Sequence, residues 1–154
     1  MTQEEIKSTI DHFFWVVNSE MPSDSRELEL QKALDKLAVS VHDATGYFDE
    51  NSYRDPPRKE YPFLREQISP KFPDCGYYNV AHEISEKVAE SSVSVGDAID
   101  DICDIAGDLE EVLWRWENTS SDDALWHFRE SYGWHWGKHL RDLQLYLHAK
   151  QHGW

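Results

Sequence analysis

Residues 95–118 constrain the fold more than any other part of the chain. Ala98, Ile102, Ile105, Leu109, Val112 and Trp116 recur at helical spacing, and Ile99, Cys103, Ala106 and Leu113 lie beside them. An apolar face this broad, at a period near 3.6, is the pattern of an amphipathic helix and not of a strand. Three more stretches share the period. Thr2 and Glu5 form a capping box ahead of Ile6, Ile10, Phe13, Phe14 and Val17. Met21-Pro22-Ser23 separates that helix from a run through Leu30, Leu34, Leu37, Val41, Ala44 and Phe48, expected to stop near Gly46. A last helix, expected over 122–150 and roughly 40 Å long at 1.5 Å per residue, turns Leu125, Phe128, Tyr132, Trp136, Leu140, Leu143 and Leu147 to one side. A hydroxyl of Thr119-Ser120-Ser121, or Asp122, caps it.

Between Gly46 and Asn79 lie Pro56, Pro57, Pro62, Pro70 and Pro73, five of the six prolines. That stretch is therefore irregular, apart from a short helix from Pro62 to Ile68 with proline at its first position. Residues 80–92 read as helical, and no strand alternation competes. The expected fold is all-α, one helical domain over residues 1–154, with four long helices, one or two short ones and a long loop over about 46–79.

Thirty acidic residues face fifteen basic ones, for a formal charge of −15. That excludes a binder of nucleic-acid backbone, whose affinity comes from clustered Lys and Arg, and argues equally against an anionic membrane surface. No apolar run reaches the ~18 residues of a membrane span. The N-terminus has none of the parts of a signal peptide. Cys75 and Cys103 lack metal-type spacing. The expected compartment is the cytoplasm.

The charge is uneven. Asp97, Asp100, Asp101, Asp104, Asp108 and Glu111 fall in one stripe, where like charges three and four apart repel. Read plainly, this is a solvated acidic face; read for function, it meets a basic partner or a cation. The last helix is the opposite. Residues 124–154 carry five of the eight histidines, four of the seven tryptophans, and four basic against two acidic side chains. In it, His135 and His139 stand i, i+4, the spacing that lets two imidazoles reach one ion. With Asp104 and Asp108, and Asp101 beside them, they suit zinc, manganese or iron. The Glu of a metalloprotease helix is missing, the Glu-x-x-His pairs of di-metal bundles are absent, and the acidic stripe is expected opposite its helix's apolar face. The plain alternative is a pair of core histidines bonded to carboxylates. Arg129 and His135 resemble the Arg-x4-6-His signature of the HEPN ribonucleases, a weak match on so acidic a chain. Gly133 and Gly137, each costing about 1 kcal/mol inside a helix, suggest close approach by another backbone or by flanking rings.

Phe72-Pro73 with Gly76-Tyr77-Tyr78-Asn79, then Gly96-Asp97 with Asp101, Asp104-Ile105 and Asp108-Leu109, then Asp123-Ala124-Leu125-Trp126 and His135-Trp136-Gly137 with His139-Leu140, together resemble a bacterial family catalogued only as a domain of unknown function. The resemblance spans roughly residues 40–148. It implies a small, mostly helical protein and brings no activity, cofactor or catalytic residue.

Two functions follow as expectations. The first is a small acidic protein-binding inhibitor, such as an immunity protein that neutralises a cognate toxin. Its acidic stripe steers a basic partner, Tyr77 and Tyr78 supply anchors beside it, and it needs no cofactor. The second is a metal-dependent hydrolase, with zinc, manganese or iron at a His/Asp site between the last two helices. A homodimer through the tryptophan-rich last helix is a further possibility.

Overall fold

The computed structural model describes residues 1–154. It is mostly helical, as expected, and adds a small antiparallel sheet that the sequence reading did not anticipate. In order, the elements are α1 (Gln3–Asn18), α2 (Ser23–Asp43), α3 (Tyr61–Ile68), β1 (Tyr77–Ala81), β2 (Val93–Asp97), α4 (Ala98–Asn118), α5 (Ser121–Ser131) and α6 (Gly137–His152). A 3-10 turn (Ser69–Lys71) follows α3, and a π turn (Tyr132–Trp136) joins α5 to α6.

Local chemistry sets the starts. The capping box forms as expected: Thr2 Oγ1 accepts from the Glu5 amide, and the Glu5 carboxylate accepts from the Thr2 amide. Ser120 is the hydroxyl that caps α5, accepting from the Asp123 amide at 3.1 Å. Asp97 caps α4 through the amides of Ile99 and Asp100, so Val95 belongs to β2 and the helix begins at Ala98, later than its periodicity suggests. The second helix ends at Asp43, short of Gly46. Gly46 instead lies tight against α5: a Cβ there would stand 2.9 Å from Leu125 Cβ and from the Trp126 amide nitrogen.

Residues 80–92 are not helical. Val80 and Ala81 complete β1, and a turn-rich connection leads to β2, with left-handed backbone at Lys87 (φ 47°) and Ala89 (φ 65°). Tyr77, Asn79 and Ala81 pair with Asp97, Val95 and Val93. The signal was short. Val93-Ser94-Val95 alternates over too few residues to stand out beside the charged connection.

Thirty buried apolar residues form one cluster, which makes a single core of all the helices. Helix α4 is central, packed on α1, α3, α5, α6 and β2, while α2 joins α1 to α6. Arg26 of α2 is buried without a carboxylate partner. Its guanidinium donates to the carbonyls of Val16 (2.5 Å) and Ser19 at the end of α1, and lies 5.7 Å from the Phe72 ring centroid. Helix α1 has no basic residue in its own last turn, so a cation from the next helix meets the carbonyls that its C-terminus leaves open.

The π turn explains one of the two helix glycines. A Cβ on Gly137 would collide with the Tyr132 carbonyl oxygen, whereas one on Gly133 would meet nothing within 4 Å. Close approach therefore requires glycine at 137 and not at 133. Trp136 anchors the widened turn, its indole donating to Ser131 Oγ at 3.0 Å and to the Phe128 carbonyl at 3.3 Å.

Replacing Arg26 with Ala leaves those buried carbonyls unpaired and should cost about 2–4 kcal/mol of stability. Urea denaturation of the variant beside the parent chain measures it; a loss under about 0.5 kcal/mol would show that water replaces the guanidinium freely.

Candidate metal centre

The acidic stripe is not a solvated face. Asp101 and Asp108 are buried, each four residues before an apolar core position, Ile105 and Val112. The stripe thus borders the apolar face and does not oppose it, which corrects the sequence expectation. That border is where α6 and the π turn pack on α4.

There, His135 Nδ1 lies 2.7 Å from Asp108 Oδ2 and His139 Nδ1 lies 2.8 Å from Asp101 Oδ1. Each ring holds a carboxylate at Nδ1, which in the neutral imidazole places the proton there and leaves Nε2 as the free lone pair. His139 Nε2 points at Asp104 Oδ2, 3.3 Å away. One ligand atom from each of Asp104, His135 and His139 lies within 4.8 Å of the other two. The side chains of these three are 25–27% exposed, against 6% for Asp101 and Asp108. Buried carboxylates thus hold two rings that are themselves partly exposed.

Further groups brace the pair. The Tyr78 hydroxyl donates to the second oxygen of Asp101, and its ring stacks on Tyr146, with centroids 4.9 Å apart. Tyr146 in turn accepts from the Gly76 amide at 2.9 Å. Tyr78 lies across from Gly96 on β2, where a Cβ would stand 2.6 Å from the tyrosine ring. Gly96 is therefore what lets Tyr78 lie flat and reach Asp101.

The hydrogen bond from Asp101 raises the pKa of His139; burial opposes this and Asp104 adds to it. The Asp104 carboxyl is itself raised, chiefly by burial. Both shifts favour the protonated forms, so a cation bound here would displace those protons. Burial pushes both Cys75 and Cys103 up to about 12, so neither is a ready thiolate.

The structure brings Asp104, His135 and His139 within 4.8 Å of one another. It puts Asp108 behind His135, as an orienting group rather than a ligand. Of the eight residues expected to meet a protein partner, none of the six acidic ones is exposed. Asp97 pairs with Arg65 at 2.8 Å, Asp100 accepts from Tyr61, and Glu111 faces Arg58 at 3.7 Å. Asp101, Asp104 and Asp108 serve the histidines. Tyr77 is 73% exposed while Tyr78 is half-buried. Arg129 lines a separate groove with Val41, His42 and Trp126, while His135 is paired with Asp108. Sequence reading missed the role of Tyr78 at the histidines, and Arg58 and Arg65 altogether. Their only signal was four cations over residues 54–65 of an acidic chain.

The fold and this cluster define a mostly helical protein whose carboxylate–imidazole pairs converge between its central helix and its last. The chain belongs to the family described as Domain of unknown function (DUF5063), which matches residues 25–152. Its fold is similar to the crystal structure of protein BF1032 from Bacteroides fragilis, at 15% sequence identity and a TM-score of 0.68, over 96% of this chain and 87% of that one. At that identity the likeness is one of fold alone. No curated protein matches the chain. No helix is long and apolar enough to cross a membrane.

A His139 value raised above 6.5 sets the sign of a pH effect on the metal-free protein. The pair's stabilisation is complete below 6.5 and is lost as pH rises through the raised value. Asp101→Asn should bring the His139 midpoint back towards 6.5 in an imidazole NMR titration and flatten the stability profile over that window. An unmoved midpoint would mean that Asp101 does not hold the ring.

Proposed function

We propose that this chain is a metal-dependent hydrolase in which His135, His139 and Asp104 hold one divalent ion, with zinc, manganese and iron as the candidates. The observation that carries the reading is the pair of buried carboxylates, Asp108 and Asp101, each at Nδ1 of one histidine, with His139 Nε2 3.3 Å from Asp104 and a ligand atom of His135 within 4.8 Å of both. Carboxylates behind ligating histidines are the usual support of such sites. Two histidines and one carboxylate leave further positions on the ion open. An ion with open positions supplies Lewis acidity and a water of lowered pKa, the requirements of hydrolysis. Donor distances near 2.1 Å draw the three side chains closer, and their partial exposure leaves room for that movement.

Metal content per chain, on untagged protein purified without chelator, tests the reading. Near-stoichiometric zinc, manganese or iron is expected. His139→Ala should abolish it with helix content unchanged, and Asp108→Asn should weaken it about 10–100-fold. Protein that carries no metal and takes up none on titration would overturn the proposal.

A second reading, an acidic inhibitor that binds a basic partner such as a toxin domain, draws on a different surface. The outer face of the hairpin presents Tyr77, Val93 and Val95, all exposed, next to Asp97. A stoichiometric basic partner that co-purifies with the parent chain, and not with Val95→Glu, would favour it.

A further inference from the structure

Beside Asp104 the surface opens into a cleft of about 240 Å³ between α4, α3 and the segment that leads into α3. Two features of this cleft are unexplained by packing. Arg58, at its rim, has a guanidinium without a hydrogen bond. Its nearest carboxylates are Glu111 at 3.7 Å and Asp108 at 3.9 Å, and its side chain is 64% exposed. The same Asp108 carboxylate holds His135, so this loosely paired cation stands next to the candidate centre. The backbone around Arg58 is nevertheless pinned to α4. Arg54 lies 5.1 Å from the Trp114 ring centroid, and Lys59 binds Glu110 at 2.6 Å. Finally, Gly107 stands in the middle of α4, where glycine costs about 1 kcal/mol relative to Ala. A Cβ there would meet only Leu64, at an ordinary 3.8 Å, so no neighbour demands glycine. What its missing side chain leaves is open cleft.

We infer that this cleft receives the oxyanion head of the ligand, a phosphate-type tetrahedral group, with Arg58 as its counterion; the inference rests on the metal reading above. A guanidinium presents a planar fork that engages two oxygens at once. A tetrahedral oxyanion satisfies that fork and keeps another oxygen for the ion, whereas a planar carboxylate has only two oxygens in all. The charge around the site makes binding conditional. Asp104, Asp108 and Glu111 repel an anion until the divalent ion offsets them. The charge of −15 on the whole chain disfavours long polyanions, so the class is a small phosphate ester and not a nucleic-acid strand.

The test uses the full chain, Mn(II), and inorganic phosphate as probe, followed by calorimetry. Phosphate should bind the Mn(II)-loaded protein, fail to bind the metal-free protein, and bind Arg58→Gln at least tenfold more weakly. Mn(II) affinity in that variant should be equal or higher, since a nearby cation is gone. Gly107→Val, which fills the cleft, should lower phosphate affinity while Mn(II) still binds, and acetate should bind far more weakly than phosphate. If Mn(II) binds but phosphate does not, or Arg58→Gln binds phosphate as the parent does, the oxyanion cleft is wrong and the metal centre stands. Acetate binding as tightly as phosphate overturns the tetrahedral class. Failure of Mn(II), zinc and iron alike to bind overturns the metal centre itself, and this inference with it.

Discussion

Two carboxylates on the central helix meet two imidazoles, one from the π turn and one from the last helix, and these pairs hold the polar part of this molecule together. Asp101 and Asp108 are seven residues apart, two turns of α4, while His135 and His139 are four apart, on either side of the junction between the π turn and α6. An unpaired charge at either aspartate would be expensive in so buried a position. Each instead meets a ring nitrogen at hydrogen-bond distance. The same contacts fix how α4 and α6 sit in rotation and along their axes. Tyr78, Tyr146 and the hairpin then assemble around the Asp101 side, while Arg58 and its segment assemble around the Asp108 side.

The arrangement gives both kinds of stripe on α4 a single explanation. Its apolar rows bury against the helices that surround it, and the aspartates next to them are buried because the bundle wraps past the apolar face. An acidic stripe on a helix with one exposed side is a solvated surface. On a helix packed on all sides, its edge becomes interior. The likeness in fold to the Bacteroides fragilis protein BF1032 concerns the helical frame; the cluster is argued from this chain's own side chains.

Much of the frame was legible in the sequence. The capping box at Thr2, the hydroxyl cap of α5, the break at Met21-Pro22 and the short helix after Tyr61 all follow from local chemistry that needs no tertiary context. His135 and His139 were legible as a pair because i, i+4 spacing is a local fact. Their partners were not, since which edge of α4 faces α6 depends on how many neighbours cover α4. The hairpin was missed for a related reason. Its strands are only five residues each, one ends directly at the cap of a strongly periodic helix, and its stability comes from Tyr78 lying over Gly96 and Asp101. The π turn leaves a trace at Gly137, yet Gly133 carries the same residue with no such need, so the glycines alone could not locate it.

The segment from 45 to 59 makes no backbone-to-backbone hydrogen bond. It is fastened through side chains: Asp49 to Ser120, Arg54 to Trp114, and Lys59 to Glu110. A stretch tied down in this way can lift off without breaking any helix, so its opening belongs to the low end of the range of local stabilities, far below global unfolding. This gives the molecule two mechanical grades. The bundle that holds the histidines is built on backbone hydrogen bonds within its helices, while the strip that carries Arg58 is held by side-chain contacts alone. Loss of those contacts would open the cleft without unravelling a helix.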